Sequence, residues 1–251
     1  MATFQENLSR IEEQIEAACR RAGRPRSEVA LMAVSKTHPA SAMAEAFACG
    51  VTLFGENRVQ EFQGKLVELA IEDVSRDGSG PGLAGMRVHL IGKLQSNKSA
   101  KAAEIFSGVD SVDSLRIAQR LHDAASRLGR VLPILLEIKL SHEESKSGLD
   151  PESPELAELL DRLAELSGLR LRGLMTVPPW SEEPETARPY FARLRQLRDQ
   201  LAARHAGLDF SQLSMGMSGD FAVAIEEGST CVRIGTALFG KRPYAAKPEE
   251  G

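Results

Sequence analysis

The sequence predicts an α/β fold, a single-domain (β/α)8 TIM barrel, on three observations. Eight short apolar segments alternate strictly with seven helical patterns, as a series of parallel βαβ units requires. The length of 251 residues is that of one typical barrel. The turn after the first apolar segment reads Ser35-Lys36-Thr37-His38-Pro39 and contains no glycine. An open doubly wound sheet, the alternative architecture, usually marks its phosphate site with a glycine-rich turn there.

An opening helix precedes the alternation. Thr3 and Glu6 fit a capping box, and Phe4, Leu8, Ile11, Ile15 and Ala18 recur at spacings of four and three, the pattern of one buried helical face. Gly23 and Pro25 stop it,. Apolar runs then predict strands at 29–36, 53–57, 88–92, 108–112, 132–139, 171–177, 212–217 and 232–239. Helical periodicity falls at 40–49, 58–72, 98–106, 114–128, 154–167, 184–205 and 219–227,. Residues 75–85 are dense in Gly, Pro and Ser and read as a surface loop,. The barrel is expected to occupy 1–240, with 241–251 as a short polar tail.

Composition narrows the function classes. With 42% hydrophobic and 26% charged residues, the chain can bury a sizeable core. A net charge of -4 argues against broad nucleic-acid binding, which leaves a basic footprint. The arginine-rich stretch 188–204 interleaves Phe191, Leu194, Leu197 and Leu201 at helical spacing, so it reads as a helix with a solvated basic face. Cys19, Cys49 and Cys231 are odd in number and far apart, which suits a reducing compartment and gives no disulfide framework. The five histidines form no HxH or HExxH pattern, so no catalytic metal is expected. The N-terminus lacks the basic and apolar regions of a secretory signal, and no apolar run has the length of a membrane span,. A cytoplasmic protein without membrane contact is the expectation.

Barrel enzymes place their chemistry at the C-terminal ends of the strands. There the predicted strands deliver Lys36, then Glu56 and Asn57, then Gln95 and Asn97 beyond Gly92, then Met175 and Thr176. Strand seven runs into Ser214-Met215-Gly216-Met217-Ser218-Gly219-Asp220, and strand eight carries Arg233, Gly235 and Thr236. A lysine ending a buried strand either reaches out to solvent or is held as a nucleophile able to form a Schiff base. Ser218, read as the start of a helix, either caps it or joins the following N–H groups in an anion site. Arg233 and Gly235, two residues apart, share a strand face.

Several segments resemble the pyridoxal phosphate homeostasis proteins, whose bacterial members are the YggS type. They include Ala33-Val34-Ser35-Lys36-Thr37, Phe54-Gly55-Glu56-Asn57, His89-Leu90-Ile91-Gly92, Glu144-Ser145-Lys146-Ser147-Gly148-Leu149, Gly173-Leu174-Met175-Thr176, Ser214-Met215-Gly216-Met217-Ser218 and Val232-Arg233-Ile234-Gly235-Thr236. They occur in the family's order along nearly the whole chain. The resemblance implies a barrel like the alanine racemase N-terminal domain, with pyridoxal 5'-phosphate (PLP) held as a Schiff base on Lys36. It implies a phosphate site at Ser218, Gly235 and Thr236, Arg233 at the pyridine nitrogen, and Asn57 and Met175 beside the ring. Arg58, Lys93 and Lys139 depart from the residues frequent in the family, which are tyrosine, histidine and asparagine.

The same resemblance implies a cofactor buffer or carrier supporting vitamin B6 and amino-acid homeostasis. Arginine at the pyridine nitrogen is a donor with no acceptor and makes PLP a weaker electron sink than an aspartate partner would. The racemase's second base is a tyrosine from a further domain; here the only tyrosines are Tyr190 and Tyr244, neither placed by sequence to act. A monomer that passes PLP to apo-enzymes is expected, with a weak dimer through outer-helix faces as the other arrangement. A low-activity amino-acid racemase and a barrel enzyme that condenses with a sugar phosphate are the competing readings.

Overall fold

Eight strands pair in sequence order and close on themselves. They are β1 (Ala30–Val34), β2 (Leu53–Glu56), β3 (Arg87–Leu90), β4 (Gly108–Val112), β5 (Leu132–Glu137), β6 (Leu169–Met175), β7 (Gln212–Met217) and β8 (Cys231–Ile234). Every pairing is parallel, and β1 seals the barrel against β8, with Ala30 opposite Cys231 and Ala33 opposite Ile234. The computed structural model describes residues 2–69, 85–141 and 147–240. The predicted tail, most of the 75–85 loop and the end of the 58–72 helical pattern lie outside the described residues.

The helices are α1 (Phe4–Arg21), α2 (Ala40–Ala48), α3 (Val59–Glu68), α4 (Ser99–Ile105), α5 (Leu115–Arg127), α6 (Pro154–Arg162), α7 (Arg188–Arg204), α8 (Phe221–Glu226) and α9 (Thr236–Phe239). Each of α2 to α8 follows a strand, and its apolar face packs on the barrel's outer surface. β2, β4 and β8 are buried along their whole length, as parallel strands covered on both faces are, and they bury Glu56, Asp110, Ser111 and Arg233 among their apolar residues. Phe54, Phe62, Phe106 and Phe191 are fully buried between strands and helices, each contributing about 2–3 kcal/mol of hydrophobic stabilisation. Phe62 of α3 meets Phe106 with ring centroids 4.9 Å apart. A smaller cluster of Met32, Leu53 and Cys231, with Ile91 beside it, fills part of the barrel interior.

The capping box of α1 is present: the Thr3 hydroxyl accepts from Glu6 N–H, and the Glu6 carboxylate accepts from Thr3 N–H. Two predicted elements differ. The eighth strand stops at Ile234, because Gly235 (φ -111, ψ -84) leaves the extended region and its carbonyl accepts from Leu238 and Phe239 N–H, starting α9. The helix predicted from 219 begins at Phe221. Residues 218–220 form a turn closed by Asp220 N–H on Met217 O and by Met217 N–H on the Asp220 carboxylate. Ser218 therefore does not start that helix.

Candidate functional site

After Val34 the chain leaves β1 in a tight turn. Ser35 N–H donates to Gly55 O at 3.1 Å, and His38 N–H closes the turn on Ser35 O at 3.1 Å. Thr37 has φ +67, the one non-glycine residue with positive φ among the described residues. Lys36, half-buried, comes off this turn into a cavity of about 580 Å³ at the C-terminal mouth of the barrel. Asn57, Ser218, Arg233, Gly235 and Thr236 line the same cavity. Met175 is buried at the end of β6, in register with Glu137 and Ser214, and is not among the lining residues. Glu56, Gln95, Asn97 and Thr176 do not line it either.

Arg233 is held rigidly. Its guanidinium is buried, donating to Ser214 Oγ at 2.8 Å and to the Thr176 carbonyl at 2.8 Å. Burial pulls it below the usual guanidinium range, opposed by nearby acidic groups including Asp110, Asp220 and Glu137. Burial likewise pushes the carboxyls of Glu137 and Asp220 up, against a hydrogen bond from Ser147 in the first and from Met217 N–H in the second. Cys231 sits two residues before Arg233; it is buried, and burial pushes its thiol up to about 12, the environment of a packing thiol and not of an activated one.

The side of the cavity formed by Ser218, Gly219, Gly235 and Thr236 joins the β7 and β8 loops, where barrels commonly bind phosphate. Ser218 Oγ accepts from Ala237 N–H at 3.5 Å, so it is tied to the start of α9. A side chain at Gly235 would press on the Val34 carbonyl at 3.3 Å; glycine leaves the backbone open to close approach at this point. Val177, Pro179, Trp180 and Ser181 also line the cavity, and Trp180 is 81% exposed.

Behind Lys36 lies a buried polar cluster that sequence reasoning missed. Lys65 of α3 donates to Ser35 O at 2.9 Å and pairs with Glu56 at 2.6 Å and Glu61 at 3.0 Å. Ser35 Oγ donates to the same Glu56 oxygen at 2.7 Å, and Glu61 accepts a short hydrogen bond from Thr37 N–H. Burial raises Glu56 above the usual carboxylate range, with Lys65 opposing. For Glu61 burial acts the same way, yet the Thr37 N–H and Lys65 outweigh it and hold it low. The i,i+4 spacing of Glu61 and Lys65 was the available signal; the link to Glu56 and Ser35 exists only in the fold.

A family profile described as "Alanine racemase, N-terminal domain" matches residues 7–243. The pyridoxal phosphate homeostasis protein of Aquifex aeolicus is 42% identical over 239 residues, covering 95% of this chain and 98% of the relative. This chain belongs to the pyridoxal phosphate homeostasis protein family. The Pseudomonas aeruginosa member is 45% identical, with 98% and 99% covered. Among solved structures, that of PipY from Synechococcus elongatus with PLP bound is 38% identical with a TM-score of 0.79, covering 95% of this chain and 100% of that one. D-threonine aldolase from Filomicrobium marinum, at 18% identity and TM-score 0.69, shares the fold over 94% of this chain and 59% of its own. Of the three departures from the family's frequent residues, Arg58 is exposed before α3. Lys93 and Lys139 line a second cavity of about 280 Å³ that shares Ile91 and Val177 with the first.

Proposed function

We propose that this chain binds pyridoxal 5'-phosphate at the barrel mouth and buffers or delivers it, supporting vitamin B6 and amino-acid homeostasis. One observation carries the reading: an amine, a fixed guanidinium and a hydroxyl–glycine cradle converge on one cavity. The fit to the cofactor is chemical. The volume of about 580 Å³ is within the usual range for a small-molecule site. Lys36 is the residue to hold the aldehyde carbon as a Schiff base. Ser218, Gly235 and Thr236 would supply hydroxyls and open backbone for a phosphate, and Asn57, which lines the same cavity, would flank the ring. Met175, behind the cavity wall, enters this reading through packing.

PLP supplies an electron sink for carbanion chemistry when bound. Arg233 acts against that use. Its position is fixed by Ser214 and Thr176, and as a donor-only group it keeps a facing ring nitrogen unprotonated. Tyr190 lies on α7, outside the barrel, and packs against the core. Holding and release of the cofactor to apo-enzymes in a reducing, cytoplasmic compartment is the function these residues support best.

The test is spectroscopic. Titration with PLP is expected to produce a visible Schiff-base band, and borohydride followed by peptide mapping should find the label on Lys36. The K36A variant should lose both. A protein that stays colourless with saturating PLP, or a label on another lysine, would overturn the reading. Mixing the loaded protein with an apo-PLP enzyme then asks whether activity appears faster than free cofactor allows.

A further inference from the structure

We infer that Glu56, Glu61 and Lys65 are positioning residues for Lys36, locking the turn that presents its amine to the cavity. The inference rests on the PLP-binding reading above and adds residues that none of its features require. None of the three lines the cavity. Instead they grip both chain neighbours of Lys36. Ser35 is held through its carbonyl by Lys65 and through its hydroxyl by Glu56, and Thr37 is held through its N–H by Glu61. All the gripping groups come from β2 and α3, the next βα unit along the barrel.

Two features show that the cluster imposes a geometry. Thr37 is β-branched and sits at φ +67, a conformation such residues keep only where their surroundings over-determine it. Glu56 and Lys65 are buried charges, 0% and 6% exposed, and Glu56 Oε2 has no partner among the described residues. A buried ion pair with an unmatched oxygen is a poor stabiliser, and packed apolar side chains would serve stability as well. What the pair does here is hold Ser35, while Lys65 also pairs with the Glu61 carboxylate that holds Thr37.

The amine of Lys36 condenses with an aldehyde by forming a C=N bond while the carbonyl oxygen leaves as one water. That step needs the two reacting atoms aligned, so its rate depends on the turn even though the cluster never touches the ligand. Two variants test this: Glu61→Gln, and the double variant Glu56→Gln with Lys65→Met, which removes both buried charges together. Stopped-flow absorbance measures Schiff-base formation with PLP. Binding of pyridoxine 5'-phosphate, which carries an alcohol in place of the aldehyde, measures the cavity without condensation. Both variants are expected to slow condensation about tenfold while binding the alcohol within about twofold of the parent. Adding Thr37→Gly to E61Q should restore most of the rate, since glycine adopts positive φ without steric cost.

Variants that condense at the parental rate would overturn the inference and leave the PLP-binding reading standing. So would a loss of alcohol binding in step with the rate, which marks a merely structural role. A parent that binds the alcohol yet never condenses with PLP would remove Lys36 from the function, and the inference with it. Should the double variant fail to fold, E61Q and its Thr37→Gly rescue decide alone, because Glu61 is partly exposed.

Discussion

At the scale of single residues, Gly92 shows how tightly the mouth is built. A Cβ there would fall against the Asn57 backbone, 2.8 Å from its Cα. Gly92→Ala is expected to destabilise the protein by about 1–3 kcal/mol through overpacking, and to weaken PLP binding through Asn57; chemical denaturation and a PLP titration check the two effects. The thiols differ as sharply. Cys231 is buried with its pKa near 12, burial raises Cys19, and Cys49 is only half-buried. Iodoacetamide at about pH 8 should therefore modify Cys49 first and leave Cys231 untouched in the native protein, which mass spectrometry reads directly. Six of the seven residues that the sequence proposed for cofactor binding share one cavity, because strand ends of a barrel converge whatever their spacing in the chain. The roles of Glu56 and Lys65 were hidden, because whether a strand-end side chain turns toward the mouth or the wall depends on a partner from another element.

Among elements, α1 and α9 are coupled. The Asn7 side chain is buried and donates to the Leu238 carbonyl of α9 at 2.9 Å, and α9 begins at the Gly235–Thr236 side of the cavity. Asn7→Ala is expected to cost about 1–3 kcal/mol by leaving that carbonyl unmatched and to lower phosphate affinity. Thr3→Ala, which removes the cap of α1, should cost about 1 kcal/mol without touching the cavity; melting curves with and without PLP separate them. Most elements were legible because apolar runs and helical periodicity follow directly from burial. α9 was not. Thr236, Ala237, Leu238 and Phe239 continue an apolar β-like run, and only the dihedrals of Gly235 turn it into a helix. The start of α8 was misread for the same kind of reason, since Asp220 closes a local turn that periodicity does not register.

For the molecule as a whole, strict alternation, the chain length and the glycine-free turn after the first strand together foresaw a closed barrel, as each parallel strand needs a crossover helix and eight such units complete a ring. Surface charges that join distant units were not foreseeable. Arg188 at the start of α7 pairs with Glu185, and with Glu226 and Glu227 at the end of α8, while Arg21 of α1 also holds Glu226. The Glu226 carboxyl is held low, first by the Arg188 hydrogen bond and next, after a smaller opposing effect of burial, by Arg21. A carboxyl with a depressed folded pKa contributes stability above its ordinary value of 4.5 and loses it as pH falls through the lower folded value. Glu56, Glu137 and Asp220, raised by burial, act in the opposite sense. Melting temperature measured from neutral to acid pH should therefore drop less steeply in R188A than in the parent. The loss at neutral pH should be about 1 kcal/mol or less, because the network is solvent-screened.

The chain contains a single tryptophan, and it stands on the rim of the cavity. Its near-ultraviolet emission overlaps the absorption of a PLP imine, so filling the mouth should quench that emission by energy transfer. Because no second indole contributes background, loading and handover could be followed in real time on the unlabelled, unmodified protein.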